Sequence, residues 1–322
     1  MHPRSTCRQG LDAMRFLIHE IVEHGPYVKE FRLVPSEGTV PVWHPGAHVE
    51  LNFSSRSGEQ FINAYSLVGK PGDCLRIAVQ LEPAGHGGSR VLHEEFEAGM
   101  EIELSAPLDS FALNPGASRN VLIAGGIGIT PLISMAHALG IAGNCFELHY
   151  FARDLTRLVL LDEFDSLPNG SIHTYMTGTG RPDLAALIGT YTEESELHAC
   201  GPISLMQAIR STAALLGWPA AHLHFESFGA RHVGTDQPLR VYLRQSDIAL
   251  DVMPGTSILD AMIAADAFVA YDCKRGECGN CYAHVLSGEP LHRDVCLTPE
   301  QRAEGMTTCV SWAAGHELEL DL

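Results

Sequence analysis

Four of the nine cysteines in this 322-residue chain have a spacing that can hold iron. Cys273-Lys-Arg-Gly-Glu-Cys278-Gly-Asn-Cys281 reads C-x4-C-x2-C, and Cys309 follows after 27 intervening residues. That is the plant-type pattern for a 2Fe-2S cluster, in which four thiolates converge on two irons around one tight loop. Gly276 and Gly279 let such a loop curl and bring amide N–H groups toward the sulfurs. Structural zinc sites favour two separated C-x2-C pairs, and only one such pair occurs here, so zinc is the weaker alternative. Cys296 is a rival fourth ligand, but Cys309, in the apolar-flanked run Thr308-Cys309-Val310, is preferred. Cys7, Cys74, Cys145 and Cys296 otherwise read as small buried hydrophobes.

Other stretches suit phosphates and flat rings. Ala124-Gly125-Gly126-Ile127-Gly128-Ile129-Thr130-Pro131-Leu132 follows the apolar run Val121 to Ala124. It reads as a strand-to-helix turn, with Thr130 as a cap and Pro131 at the first helical position, so that free N–H groups face a pyrophosphate. It is not the G-x-G-x-x-G fingerprint, because Pro131 replaces the third glycine. His198-Ala-Cys200-Gly201-Pro202 closes another candidate strand, where a small polarisable side chain before glycine lets a ring lie close to the backbone. Earlier, Asn63-Ala64-Tyr65-Ser66-Leu67 and Gly87-Gly88-Ser89-Arg90 offer a phenol, hydroxyls, glycine amides and a guanidinium.

The elements that must position these groups follow from periodicity. Met14 to Ile21, Val28 to Leu33, His48 to Phe53, Leu75 to Leu81 and Glu101 to Ser105 are short extended runs punctuated by Gly/Pro turns, which predicts a small antiparallel barrel or sandwich. After Asn114-Pro115-Gly116, apolar strands at Val121 to Ala124, Phe146 to Phe151, Ile172 to Met176 and Glu196 to Ala199 alternate with helices at Leu132 to Leu139 and Ile203 to Leu216. That alternation predicts a parallel α/β layer. A polar stretch ending at Pro238 reads as a linker. A hairpin over Leu239 to Leu243 and Ile248 to Val252 follows, then a helix capped by Thr256 or Ser257 and running to about Asp266, and a closing strand, Leu318 to Leu322.

Composition sets bounds. With 45% hydrophobic and 19% charged residues the chain can bury sizeable cores and is not a disordered tail. A net charge of −18 makes nucleic acid an unfavourable partner. The odd cysteine count and the absence of an apolar leader in MHPRSTCRQGL argue against a disulfide framework. Glycines and Pro131 interrupt the uncharged stretch Val121 to Leu139, which argues against a membrane span. A soluble, cytoplasmic protein is expected. The 17 histidines form no zinc-protease or facial-triad spacing.

Taken in order, these motifs, with His224-Phe-Glu-Ser-Phe228-Gly229 and the cysteine quartet, resemble the phthalate dioxygenase reductase family. The resemblance covers nearly the whole chain. It implies a multidomain α+β protein: an antiparallel flavin-binding β-barrel over 1–115, a parallel α/β nicotinamide-binding domain over 116–228, a linker over 229–238, and a β-grasp 2Fe-2S ferredoxin domain over 239–322. It also implies FMN, NADH and a 2Fe-2S cluster as cofactors, and delivery of electrons to a Rieske-type oxygenase, of the aromatic ring dioxygenase or O-demethylase kind. No coiled-coil heptad or exposed apolar stripe can be assigned, and a monomer is expected.

Carried onto this sequence, the resemblance puts Tyr65 and Ser66 beside the isoalloxazine, with Ser66 near the flavin N5. Asn63, Ala64, Ala78 and Val79 join the flavin site, and Gly87, Gly88, Ser89 and Arg90 receive the FMN phosphate. Gly125, Gly126, Gly128, Thr130, Cys200, Gly201 and Pro202 line the nicotinamide position. Phe228 covers the flavin ring until nicotinamide displaces it. Ser66, Thr130, Cys200 and Phe228 are then the catalytic residues, and Cys273, Cys278, Cys281 and Cys309 the metal ligands. One position departs from the family, which usually has arginine two residues before the tyrosine; here it is Asn63, and Arg76 or Arg90 is expected to supply the missing charge.

Phe151-Ala-Arg153-Asp154 offers both an acidic group for ribose hydroxyls and an arginine for a 2′-phosphate, and NADH is preferred on family grounds. Two alternatives stay open. One is a reductase serving a di-iron or haem hydroxylase. The other is a redox-inert protein with a structural metal, which would need no glycine loop.

Overall fold

The computed structural model describes residues 13–83, 85, 87–114, 116–178, 180, 182–228 and 235–322. Most of the expected linker, 229–234, therefore lies outside the described residues, as does Cys7. Six strands make the first layer: β1 Met14–His24, β2 Val28–Pro35, β3 His48–Ser54, β4 Gln60–Ser66, β5 Leu75–Gln80 and β6 Glu101–Leu104. They pair in the order β4-β3-β6-β1-β2-β5, antiparallel throughout. Period-2 alternation drives them: Phe16 and Ile18 of β1, Phe31 and Leu33 of β2, and Val49, Leu51 and Phe53 of β3 all enter one core. One helix, α1 Gly88–Glu95, packs Val91 and Leu92 into the same core.

The second layer is a five-stranded sheet ordered β11-β10-β7-β8-β9. Its strands are β7 Arg119–Gly125, β8 Phe146–Ala152, β9 Gly170–Met176, β10 Ser195–Cys200 and β11 Leu223–Glu226, with α2 Ile129–Ala142, α3 Leu184–Ile188 and α4 Ile203–Leu215 between them. The registered pairs β10/β7, β7/β8 and β8/β9 are parallel, so the central strands are covered on both faces and read as near-continuous apolar runs. Val121 to Leu139 is thus a strand, a turn and most of a helix. Among the described residues no helix is long and apolar enough to cross a membrane.

The C-terminal part holds β12 Leu239–Leu243, β13 Ile248–Val252, α5 Ile258–Ala264, β14 Tyr282–Ser287, β15 Pro290–Leu291, α6 Pro299–Glu304, β16 Gly305–Thr307, β17 Trp312–Ala313 and β18 Glu317–Leu320. Its main sheet runs β13-β12-β18-β14-β16, with β18 parallel to β12 and antiparallel to β14. Ser257, not Thr256, caps α5, accepting the Asp260 N–H at 3.0 Å. The helix stops at Ala264, two residues short of expectation, and Asp266 takes a left-handed φ of 56°. By packing, the chain divides into two units. One runs to Gly201 and takes in Ile209–His224, and the other joins Pro202–Ala208 to Phe225–Leu322.

Candidate cofactor and cluster sites

The cysteine loop curls through three left-handed residues: Lys274 at φ 55°, Gly276 at 74° and Gly279 at 78°. A Cβ at Gly276 would stand 2.6 Å from Val310 Cγ2 and 3.0 Å from Asp294 Cα, so both the angle and the space demand glycine. The four sulfurs fall into two pairs. The Cys273 thiol is in hydrogen-bond contact with Cys278, and Cys281 with Cys309. The Cys309 contact, helped by the Cys309 and Thr308 amides, draws the Cys281 thiol down to about 6. The proton shared with Cys281, together with burial, drives Cys309 upward.

Among the described residues, no three His, Cys, Asp or Glu side chains converge on a single ion position. Two facing thiol pairs on one loop supply the four thiolates that a centre with two irons takes, so the donor set fits the cluster. Cys296 Sγ lies beside the loop, 3.7 Å from where a Gly279 Cβ would stand.

Braces that periodicity and motifs do not reveal hold this loop. Glu277 Oε1 accepts the Ser227 N–H at 2.5 Å, and burial pushes the Glu277 carboxyl up. Arg275 lies 3.5 Å from Glu277 and 3.9 Å from Glu226. Fully buried Asp294 accepts the Leu297 N–H and pairs with Arg302 at 3.0 Å. Phe228, next to Ser227, keeps 43% of its surface exposed.

At the barrel, α1 begins on Gly87, at φ 94° and without a side-chain cap, so its first N–H groups point outward with no partner in the helix. Around that end stand two of the expected residues. A Cβ at Gly88 would meet Asn63 Nδ2 at 2.5 Å, and one at Gly87 would meet Arg90 Nη2 at 3.6 Å. An amide and an exposed guanidinium therefore flank an uncapped helix end, an arrangement whose chemistry suits an anion such as a phosphate. Ser89 Oγ accepts the Glu82 N–H at 3.0 Å and keeps its own proton to donate. Asn63 Nδ2 also donates to the Tyr65 hydroxyl at 3.0 Å, while burial raises that phenol to about 12. Ser66, Ala78 and Val79 are buried, and Ala64 is exposed.

Arg76 does not compensate for Asn63. It is committed to Glu30 at 2.7 and 3.1 Å and to Glu163 at 2.5 Å, bridging β5 to the short helical turn Leu161–Phe164. A buried carboxylate left without its guanidinium is unfavourable, so this arginine is not free for an anion. Arg90 alone of the two stands at the α1 N-terminus.

At the strand-to-helix turn, a Cβ at Gly128 would lie 2.3 Å from the Cys200 carbonyl oxygen, and one at Gly201 would lie 2.9 Å from Gly125 Cα. These glycines let the ends of β7 and β10 cross in backbone contact, with Cys200 registered on Ala124. Gly126 takes a φ of 56°. The cap differs from expectation: Gly128 is the N-cap of α2, and buried Thr130 turns its hydroxyl inward to the Ile127 carbonyl at 2.9 Å. Cys200 is fully buried. Pro202 accepts the first turn of α4 through its carbonyl. Asp154 caps its own turn by accepting from Thr156, and Arg153 is exposed.

Comparison with known proteins agrees with this layout. Residues 241–314 match the family model of the 2Fe-2S iron-sulfur cluster binding domain. The chain is 36% identical over 304 residues to the heme-dependent oxidative N-demethylase beta subunit of Ectopseudomonas mendocina (strain ymp), covering 94% of this chain and 96% of the relative. It is also 36% identical over 313 residues to the phenoxybenzoate dioxygenase subunit beta of Ectopseudomonas oleovorans, covering 95% and 96%. The solved structure of phthalate dioxygenase reductase, described as modular for electron transfer from pyridine nucleotides to [2Fe-2S], superposes with a TM-score of 0.72 at 30% identity, over 97% of this chain and 98% of that one.

The chain belongs to the phthalate dioxygenase reductase family. As a phthalate dioxygenase reductase relative it is an oxidoreductase, built from an antiparallel sheet, a parallel sheet and a C-terminal ferredoxin-type domain.

Proposed function

We propose that this chain is the reductase component of a Rieske-type non-haem iron oxygenase system, a cytoplasmic monomer that passes electrons from NADH, through FMN and a 2Fe-2S cluster, to the terminal oxygenase. The observation that carries this reading is the pairing of four thiols on one C-terminal loop, in a chain that aligns over nearly its whole length with phthalate dioxygenase reductase and with a carnitine monooxygenase reductase subunit. We divide it into a flavin domain, 1–115, a nicotinamide domain, 116–228, a linker, 229–238, and a ferredoxin domain, 239–322. When bound, the flavin takes a hydride from NADH and the cluster carries single electrons.

The protein's own share is placement. Gly87, Gly88, Ser89, Arg90 and Asn63 would hold the FMN phosphate, with Ala64, Tyr65, Ser66, Ala78 and Val79 along the ring. Gly125, Gly126, Gly128 and Gly201 keep side chains away from the nicotinamide, and Thr130 and Cys200 border it. Cys273 and Cys278 would hold one iron, and Cys281 and Cys309 the other. Their thiols must lose their protons, which makes cluster loading easier as pH rises.

A second reading has a haem protein as acceptor, and the N-demethylase relative favours it. The test is reconstitution of NADH-dependent turnover with a Rieske oxygenase and, in parallel, with a haem demethylase subunit. Coupled turnover with the Rieske protein supports the first reading, and turnover with the haem protein alone replaces it.

A further inference from the structure

Phe268 is 91% exposed, although its neighbours Ala267 and Val269 turn inward onto the core of the C-terminal unit. The backbone between α5 and the first cluster cysteine thus presents an aromatic ring to water. Tyr271, 39% exposed, lies on the same short segment, with Lys274 Nζ 5.0 Å from its ring centre. The segment leads directly into Cys273, whose thiol touches Cys278, the one exposed member of the quartet. A single exposed apolar side chain is ordinary, but two aromatics on one segment beside a cluster are the residue types enriched at the cores of protein interfaces.

Charge says what kind of partner fits. Residues 239–322 carry 13 acidic and 6 basic side chains, a net of −7. All six basic groups are paired with carboxylates: Arg240 with Asp251, Arg244 with Glu319, Lys274 with Asp260, Arg275 with Glu277, Arg293 with Asp236 and Arg302 with Asp294. Asp266 and Asp272, the two carboxylates that flank Phe268 and Tyr271, are exposed and have no ion-pair partner among the described residues. Lys274, the one fixed cation beside the aromatic pair, is neutralised by Asp260, and Asp266 and Asp272 add unpaired negative charge at its edge. A protein acceptor is in keeping with relatives that are named as subunits of dioxygenase and monooxygenase systems.

We propose that Phe268 and Tyr271, rimmed by Asp266 and Asp272, form the surface on which the electron-accepting protein docks, and that this acceptor presents an apolar socket edged with lysine and arginine. The proposal rests on the reductase reading above. The acidic rim accelerates encounter and makes it salt-sensitive, while the ring holds the complex.

The test uses the full, cofactor-loaded chain with NADH as donor and two acceptors. Ferricyanide is a small anion that needs no docking, and mitochondrial cytochrome c is a lysine-rimmed protein. F268S removes the ring without touching the core. D266N/D272N removes the rim, and asparagine tolerates the left-handed backbone at 266. The KM for cytochrome c rises about fivefold or more in each variant, the double variant loses most of the salt dependence, and ferricyanide turnover stays at the parent level. A cytochrome c KM within about twofold of the parent's in either variant overturns the docking surface. A parent chain that cannot reduce ferricyanide with NADH overturns the reductase reading instead.

Discussion

Asn63 stands where the family usually carries an arginine, and the consequences are local. Its amide lies against Gly88 and the Tyr65 hydroxyl, leaving Arg90 as the guanidinium beside the α1 N-terminus, where we propose that the FMN phosphate binds. A hydrogen bond to a charged group is worth about 1.5–3 kcal/mol, so R90A is expected to weaken FMN retention by about 10- to 100-fold. Flavin fluorescence after ultrafiltration measures it, and unchanged occupancy would discard the assignment. At the cluster, C309S removes half of the Cys281 pair and is expected to abolish the iron–sulfur absorption bands, while C296S keeps them; the reverse result reassigns the ligand. The cysteines were readable from spacing because four sulfurs must meet around one loop. Arg275, Glu277 and Arg76 were not readable as site-builders, because their partners, such as Ser227 and Glu163, lie tens of residues away and only folding brings them close.

At the scale of elements, the strand-to-helix turn at Gly125–Gly128 is constrained by its neighbour more than by its own conformation. A methyl group at Gly128 would sit 2.3 Å from the Cys200 carbonyl, and backbone cannot move aside as a flexible side chain can. G128A is therefore expected to destabilise the protein by about 1–3 kcal/mol or more and to weaken NADH binding. A fall in Tm together with a raised KM for NADH checks it, whereas a parent-like Tm would show that the strand ends are free to part. Strands with clean alternation, such as β2 and β3, and the long apolar α2 were legible from periodicity. β4 was legible only as a cluster of polar and aromatic residues. Its Ile62 is 70% exposed, which breaks the inward pattern of an ordinary strand. The eight-residue α1 starts on two glycines and lacks a capping side chain, so no start signal marks it.

On the scale of the whole molecule, a partly buried network joins the barrel to the α/β layer: His24, Arg32 and Arg76 surround fully buried Glu30, and Arg76 and His137 share Glu163. Burial works against ionised Glu30, but the His24 and Arg76 bonds hold its carboxyl far below the ordinary range. The His137 bond, with Arg76, brings Glu163 from 4.5 down to about 2. A depressed carboxylate stabilises fully above its unfolded value, and that stabilisation disappears as pH falls through its folded value. The stability gap between the parent and E163Q is therefore expected to be widest above about pH 5 and to close toward pH 2, as read from denaturant midpoints across that range. A gap that stays constant over the range would show that Glu163 is not ionised in the network. The C-terminal sheet has a different kind of consequence, because β18 runs between β12 and β14 and so occupies its middle. During synthesis the cysteine loop leaves the ribosome before Glu317–Leu320, so the nascent domain cannot zip shut until translation has passed that strand. Closing the sheet around the cysteine loop is therefore the work of residues 317–320, which join β12 to β14.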